Sequence, residues 1–88
     1  MNLEKTFGQV LQKIRLKSGL SQEQLAFDSG YHRTYISLLE RGQKNPSLKT
    51  IFQLAKALKI KPSEIIQYIY IQTNEIPLDD YKGKGQKR

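Results

Sequence analysis

Residues 20 to 42 read LSQEQLAFDSGYHRTYISLLERG, and the fold of the chain turns on this stretch. Ser21 followed three residues later by Gln24 is a capping-box pattern, which satisfies two of the amides left without partners where a helix begins. Leu25 and Ala26 form an inward pair, and the small side chain of Ala26 lets a second helix cross close by. Gly30 stands where a tight corner needs positive φ at no steric cost. Beyond it, Tyr31 and Ile36 have the spacing of a hydrophobic staple around a weak cap, His32. Ile36 and Leu39 give the second helix one buried face, and Gly42 is a left-handed stop after Arg41.

Two short helices meeting at such a corner, their close crossing resting on the missing side-chain bulk at Ala26 and Gly30, have helix-turn-helix geometry. The flanking sequence supplies more helices. Leu3, Phe7, Val10, Leu11 and Ile14 recur at three- and four-residue steps, so a first helix runs from about Leu3 to Lys17, with Asn2 as its cap and Gly8 weakening it slightly. After Gly42 a polar loop ends at Pro46, Ser47 caps a fourth helix, and Leu48, Ile51, Leu54, Ala55 and Leu58 mark its core face. Lys56, Lys59 and Lys61 fall on the wet side.

A fifth helix opens at Pro62, a residue suited to the first helical position, with Glu64 favouring the helix dipole. Ile65, Ile66 and Ile69 fill its inner face and Tyr70 stands near the edge of that face, while Tyr68 and Ile71 project to the other side. A helix apolar nearly all round leaves one face wet in a monomer, which points to a symmetric dimer through Tyr68 and Ile71. The β-branched and aromatic residues from Ile65 to Thr73 also allow a strand pairing across a dimer axis. From Asn74 the sequence has Pro77, Gly83 and Gly85 and no helical periodicity, so residues 74 to 88 are expected to be a flexible basic tail beside a domain of residues 1 to 73.

Composition narrows the function. At 88 residues the chain is one domain, and a chain of this size buries only about 60% of its unfolded surface, so a partner subunit would help stability. The absence of cysteine excludes disulfides, zinc fingers and thiol chemistry, and one histidine cannot build a metal site without unusual carboxylate help; no cofactor or metal is expected. No apolar run reaches the roughly 18 residues of a membrane helix and no signal pattern opens the chain, so no membrane partner and a cytoplasmic location are expected. The formal charge is +7, and the last fifteen residues hold four basic and three acidic groups, which leaves +6 on residues 1 to 73. Such a body favours a polyanion through phosphate contacts and counterion release, although the same charge also serves solubility.

Gln22, Leu25, Ala26, Gly30, Ile36, Leu39, Glu40 and Gly42 together make the sequence resemble the Cro and phage-repressor (Xre) family of helix-turn-helix proteins, from about Phe7 to Ile66. The run RTYIS at Arg33 to Ser37 is nearest to the controller proteins of restriction-modification systems. The resemblance implies an all-α fold, a compact five-helix lambda-repressor-like bundle, and a homodimeric transcription regulator bound to double-stranded DNA. It also implies a structural pairing of Arg15 with Glu40, which would lock the angle between their helices; the rival role for Arg15 is a direct phosphate contact.

With Ile36 and Leu39 inward, steps of about 100° send Thr34, Ser37, Leu38 and Arg41 outward, with Arg33 on the flank near the helix start. That face is what a major groove would meet, and Arg33 is the first candidate for a base contact because its fork matches guanine O6 and N7 together. Thr34 and Ser37 carry hydroxyls for bases or phosphates, and Leu38 either suits a thymine methyl or packs on a neighbouring element. In the resembled family, positions matching Arg33, Thr34 and Leu38 face bases, though polar residues are frequent at the last. Expected phosphate contacts are Gln22, Lys44, Asn45 and Lys49, together with Tyr35, which is otherwise core, and Arg41, which otherwise serves the helix C-terminal dipole.

An enzyme is not expected: no nucleophile, base and orienting group assemble, and no phosphate-cradling loop is present. The competing reading is an antitoxin or co-regulator whose fifth helix and tail bind a protein partner.

Overall fold

The computed structural model describes residues 2 to 73, which form five helices and no strand. These are α1 (Leu3–Lys17), α2 (Gln22–Ser29), α3 (Arg33–Glu40), α4 (Leu48–Leu58) and α5 (Pro62–Gln72). The helix starts follow their caps. Asn2 accepts from the Lys5 amide at 2.9 Å, Ser21 from the Gln24 amide at 3.0 Å and Ser47 from the Thr50 amide at 3.0 Å. At α5 the Glu64 carboxylate reaches back to accept from the Lys61 amide at 2.8 Å. His32 precedes α3 but makes no capping bond through its side chain, so this one helix start lacks the cap that the sequence suggested.

The core gathers Phe7, Val10 and Leu11 from α1, Leu25 and Ala26 from α2, Ile36 and Leu39 from α3, Leu54, Ala55 and Leu58 from α4, and Ile65 from α5. α3 lies against α1 and α2, α4 bridges α2 and α5, and α5 also packs on α1. α5 stays helical to Gln72, which removes the strand alternative: Pro62, the Glu64 cap and the inward row Ile65, Ile69 and Thr73 outweigh the β-branched composition.

Three residues expected on inward faces, Leu48, Leu3 and Ile66, are exposed instead, as is Tyr70, expected near the edge of the inner face of α5. Leu48 is 71% exposed because the inward position of the first turn of α4 belongs to Thr50, on the opposite side of the wheel. Leu3 lies on the inward stripe of α1 but at its free end, where little covers it. Ile66 and Tyr70 are each one residue, about 100°, past the inward Ile65 and Ile69 and so look outward. The expected flexible tail, residues 74 to 88, lies outside the described residues.

Two glycines act differently from the sequence reading. A Cβ on Gly30 would meet only the Gln53 side chain at 3.9 Å, so Gly30 is there for its φ of +81° and not for a close crossing. The close approach is at Gly8, where a Cβ would stand 2.4 Å from the Leu39 carbonyl oxygen and 2.5 Å from that of Glu40. Gly8 therefore does more than weaken α1 slightly: it lets α1 lie directly on the C-terminal turn of α3.

Candidate nucleic-acid interface

α3 is eight residues long, too short to hold a helix by itself, and must be fixed by its neighbours. Ile36 and Leu39 are fully buried and pull one face inward. The helix is then fastened at both ends by polar contacts.

Near its start, the Tyr31 and Tyr35 rings pack at a centroid distance of 4.9 Å, tilted by 47°. Both hydroxyls converge on the buried Thr50 Oγ1, at 3.0 Å from Tyr31 and 3.3 Å from Tyr35. Tyr31 also donates to Gln53 Oε1 at 3.1 Å, and Gln53 Nε2 donates to the Ser29 carbonyl at 3.1 Å, closing the cluster back onto α2. At its end, Arg15 Nε donates to Glu40 Oε2 at 2.6 Å and Arg15 Nη2 to Glu40 Oε1 at 3.1 Å, a bidentate buried ion pair. Arg15 Nη1 donates to the Leu20 carbonyl at 2.8 Å and Gln22 Nε2 to Glu40 Oε1 at 2.9 Å. No buried side-chain polar atom is left without a partner among the described residues.

What remains for solvent is the outer face of α3. Arg33, Thr34 and Arg41 are exposed, while Ser37 and Leu38 are half-buried. Ser37 Oγ accepts from Arg41 Nε at 3.3 Å, so these two side chains form one outward pair. Lys44, Asn45 and Lys49 are exposed on the loop after α3 and the first turn of α4. Among the described residues the Arg15–Glu40 contact is the one ion pair, so Arg33, Arg41, Lys44 and Lys49 face solvent without a carboxylate partner.

Two of the residues expected at a phosphate are already engaged within the fold. Tyr35 commits its hydroxyl to Thr50, and the Gln22 side chain donates to Glu40, which leaves the Gln22 backbone amide and Oε1 for a ligand. Ala26 and Gly30 shape the corner, and Arg15 is held by three hydrogen bonds facing the core. Sequence reasoning missed Thr50 and Gln53, which set the start of α3 from another helix. The available signal was the Tyr31/Tyr35 pair one helical turn apart, each carrying a hydroxyl that half-burial obliges to find a partner. Tyr68 and Ile71 are exposed on α5, as are Ile66 and Tyr70. No group of three or more potential metal ligands occurs among the described residues, and no helix there is long and apolar enough to cross a membrane.

Comparison with known proteins gives this geometry a family. Residues 11 to 65 match the family described as Helix-turn-helix. The control protein C.BamHI of Bacillus amyloliquefaciens is 46% identical over 71 residues, covering 80% of this chain and 88% of that one. Among solved structures, the restriction-modification controller protein C.AhdI from Aeromonas hydrophila superposes with a TM-score of 0.68 at 52% identity, over 69% of this chain and 92% of that one. The wild-type controller protein C.Esp1396I superposes with a TM-score of 0.72 at 33% identity, over 78% of this chain and 88% of that one. The fastened α3, the corner at Gly30 and these matches lead to one conclusion: the chain belongs to the Cro/C1-type helix-turn-helix family of DNA-binding regulators, with restriction-modification controller proteins among its close relatives.

Proposed function

We propose that the chain is a sequence-specific transcription regulator that works as a homodimer and inserts α3 of each subunit into the major groove of a near-palindromic operator. The observation that carries the reading is the state of α3: pinned at both ends by buried polar contacts, it offers solvent a polar ridge flanked by cations that have no carboxylate partner among the described residues. A rigid frame with an unengaged polar ridge is what base reading requires.

Arg33 reads a guanine through its fork, and Thr34, Ser37 and Leu38 complete the base-facing surface. Leu38, half-buried, offers a thymine methyl only its outer edge. Arg41, Lys44, Asn45 and Lys49 hold the phosphates, with Gln22 contributing its amide and Tyr35 supporting the backbone contact from behind. The dimer forms through α5, on which Tyr68 and Ile71, with Ile66 and Tyr70 beside them, are apolar side chains left exposed. Two subunits so joined place their reading helices about 34 Å apart on successive major grooves.

A second reading, a co-regulator that binds a protein partner, is favoured by Phe27, an aromatic side chain 83% exposed on α2. Selection of bound sequences from a random duplex pool separates the two. A recovered pseudo-palindrome with half-sites one helical turn apart supports the regulator; an unenriched pool with salt-dependent binding only would reject sequence reading.

A further inference from the structure

Two phenyl rings are exposed on helices other than α3 and α5. Phe27, near the end of α2, is 83% exposed, and Phe52, on α4, is 55% exposed. Each lines an open groove. The one at Phe27 holds about 700 Å³ between the end of α2 and the second half of α4, and the one at Phe52 about 500 Å³ along α4 to Ile60 and Pro62. Gln53 and Lys56 line both, so the two grooves adjoin. No residue of α3, and none of the exposed apolar residues of α5, lines either one.

The same surface is strongly basic. Lys49, Lys56, Lys59 and Lys61 line it, all exposed and none with a carboxylate partner among the described residues. Its single acid, Asp28, accepts from Gln24 Nε2 at 3.2 Å and meets no lysine. Lys49, Phe52 and Lys56 recur at steps of three and four, so cations and ring share one face of α4. Lys59 adds an independent sign. It ends α4 in the left-handed region at φ +61°, and among the described residues it alone has positive φ without being glycine. Gly19, Gly30 and Gly42 take that conformation without a Cβ to strain it. A lysine held where glycine is easier points to a use for its charge.

We infer that this α2/α4 face binds an acidic segment of a partner protein, one that carries an aromatic or large aliphatic side chain among its carboxylates. The inference rests on the partner-binding reading, to which it gives a chemistry, and it leaves DNA reading by α3 in place. The apolar side chain lies against Phe27 or Phe52, while the carboxylates meet ammonium groups at the rim, whose stems extend the apolar wall. Duplex DNA answers the lysines alone, since phosphates offer nothing to two phenyl rings. A bilayer surface takes a continuous apolar ridge, whereas these rings line separate grooves.

The test uses the full chain and two pools of synthetic peptides in randomised order. One pool is built of aspartate, glutamate, leucine and phenylalanine; the other has lysine and arginine in place of the acids. Random-sequence duplex is kept in excess, so that acidic peptides cannot settle on the DNA-facing cations. The acidic pool should yield peptides that shift the amide signals of Phe27, Gln53, Lys56 and Lys59 in isotope-labelled chain. Phe27→Ser should weaken the enriched peptide roughly ten-fold or more, as for loss of one buried ring. Lys59→Gly should weaken it about two- to five-fold, as for one ion pair, with the fold intact because glycine suits that backbone. Shifts confined to α3 or α5, or unchanged peptide affinity in Lys56→Glu with Lys59→Glu, would overturn the inference. So would a charge-reversed chain that loses duplex affinity as steeply as peptide affinity, which gives the face to DNA, or a parent chain that prefers phosphatidylglycerol vesicles to peptide. Enrichment from the basic pool at these residues would overturn the acidic chemistry and leave the partner-binding reading standing. Failure of both pools at this face would overturn the inference and remove the support that Phe27 lends to that reading.

Discussion

Replacing Gly8 by alanine adds a single carbon where α1 lies on the end of α3. That carbon would stand 2.4 Å from the Leu39 carbonyl oxygen, 2.5 Å from the Glu40 carbonyl oxygen and 2.8 Å from the Glu40 carbonyl carbon. Ordinary contact begins at 3.4 Å, so the shortest approach is deficient by about 1 Å (3.4 minus 2.4). Helix propensity argues in the opposite direction, favouring alanine over an interior glycine by roughly 0.8–1 kcal/mol. Overpacking costs about 1–3 kcal/mol, and the upper part of that range applies because both obstructing groups are backbone and no side chain can swing aside. The α3 end cannot retreat freely either, since Glu40 is tied to Arg15 on α1 at 2.6 Å. The balance is a loss of about 2 kcal/mol, or roughly 8–16 °C in Tm for a domain of this size. Urea denaturation followed by circular dichroism at matched protein concentration measures it, with Gln12→Ala on the exposed side of α1 as a control expected to stay within about 0.5 kcal/mol. A Gly8→Ala protein as stable as the parent, or more so, would refute the reasoning: propensity would have won, and α1 would not approach α3 as described.

Arg15→Met strands the buried Glu40 carboxylate and should cost about 3–5 kcal/mol, whereas Arg15→Met with Glu40→Met should recover a large part of that loss; additive losses in the double-mutant cycle would mean the pair is not coupled. Arg33→Ala should reduce discrimination at one base pair by ~1–3 kcal/mol while leaving affinity for random DNA nearly unchanged, and equal losses on specific and random duplexes would remove Arg33 from base reading. Lys44→Ala should weaken all duplexes alike and lower the slope of log affinity against log salt by about one; an unchanged slope would place Lys44 off the phosphates. Tyr68→Glu with Ile71→Glu should yield a folded monomer by sedimentation and circular dichroism, and an unaltered dimer mass would reject that face of α5 as the interface.

The elements were legible where their signals are local. Ser21, Ser47, Asn2, Pro62 and the stops at Gly30 and Gly42 mark helix ends through contacts within a few residues, so the helix boundaries could be read without knowing what the helices pack against. The inward direction of each helix was legible only approximately. Leu48 and Ile66 look like core because leucine and isoleucine usually are, yet the face of α4 was decided by Thr50, whose hydroxyl answers tyrosines on another element. Gly8 carried no readable sign of its task, because a missing side chain says nothing about which backbone comes close. The Arg15–Glu40 contact came from family resemblance and not from spacing, as its partners are 25 residues apart. The outward ridge of Arg33, Thr34 and Arg41 followed from the wheel once Ile36 and Leu39 were placed inside.

The two anchorages of α3 share a property: neither uses Arg33, Thr34 or Leu38, and the C-terminal one leaves Arg41 and Ser37 bonded only to each other. The side chains that position the helix and the side chains that would read a base are separate sets. On the proposed reading, new operator preferences could be written onto the outer surface of this helix by exchanging a few letters, with the mounting beneath it left untouched.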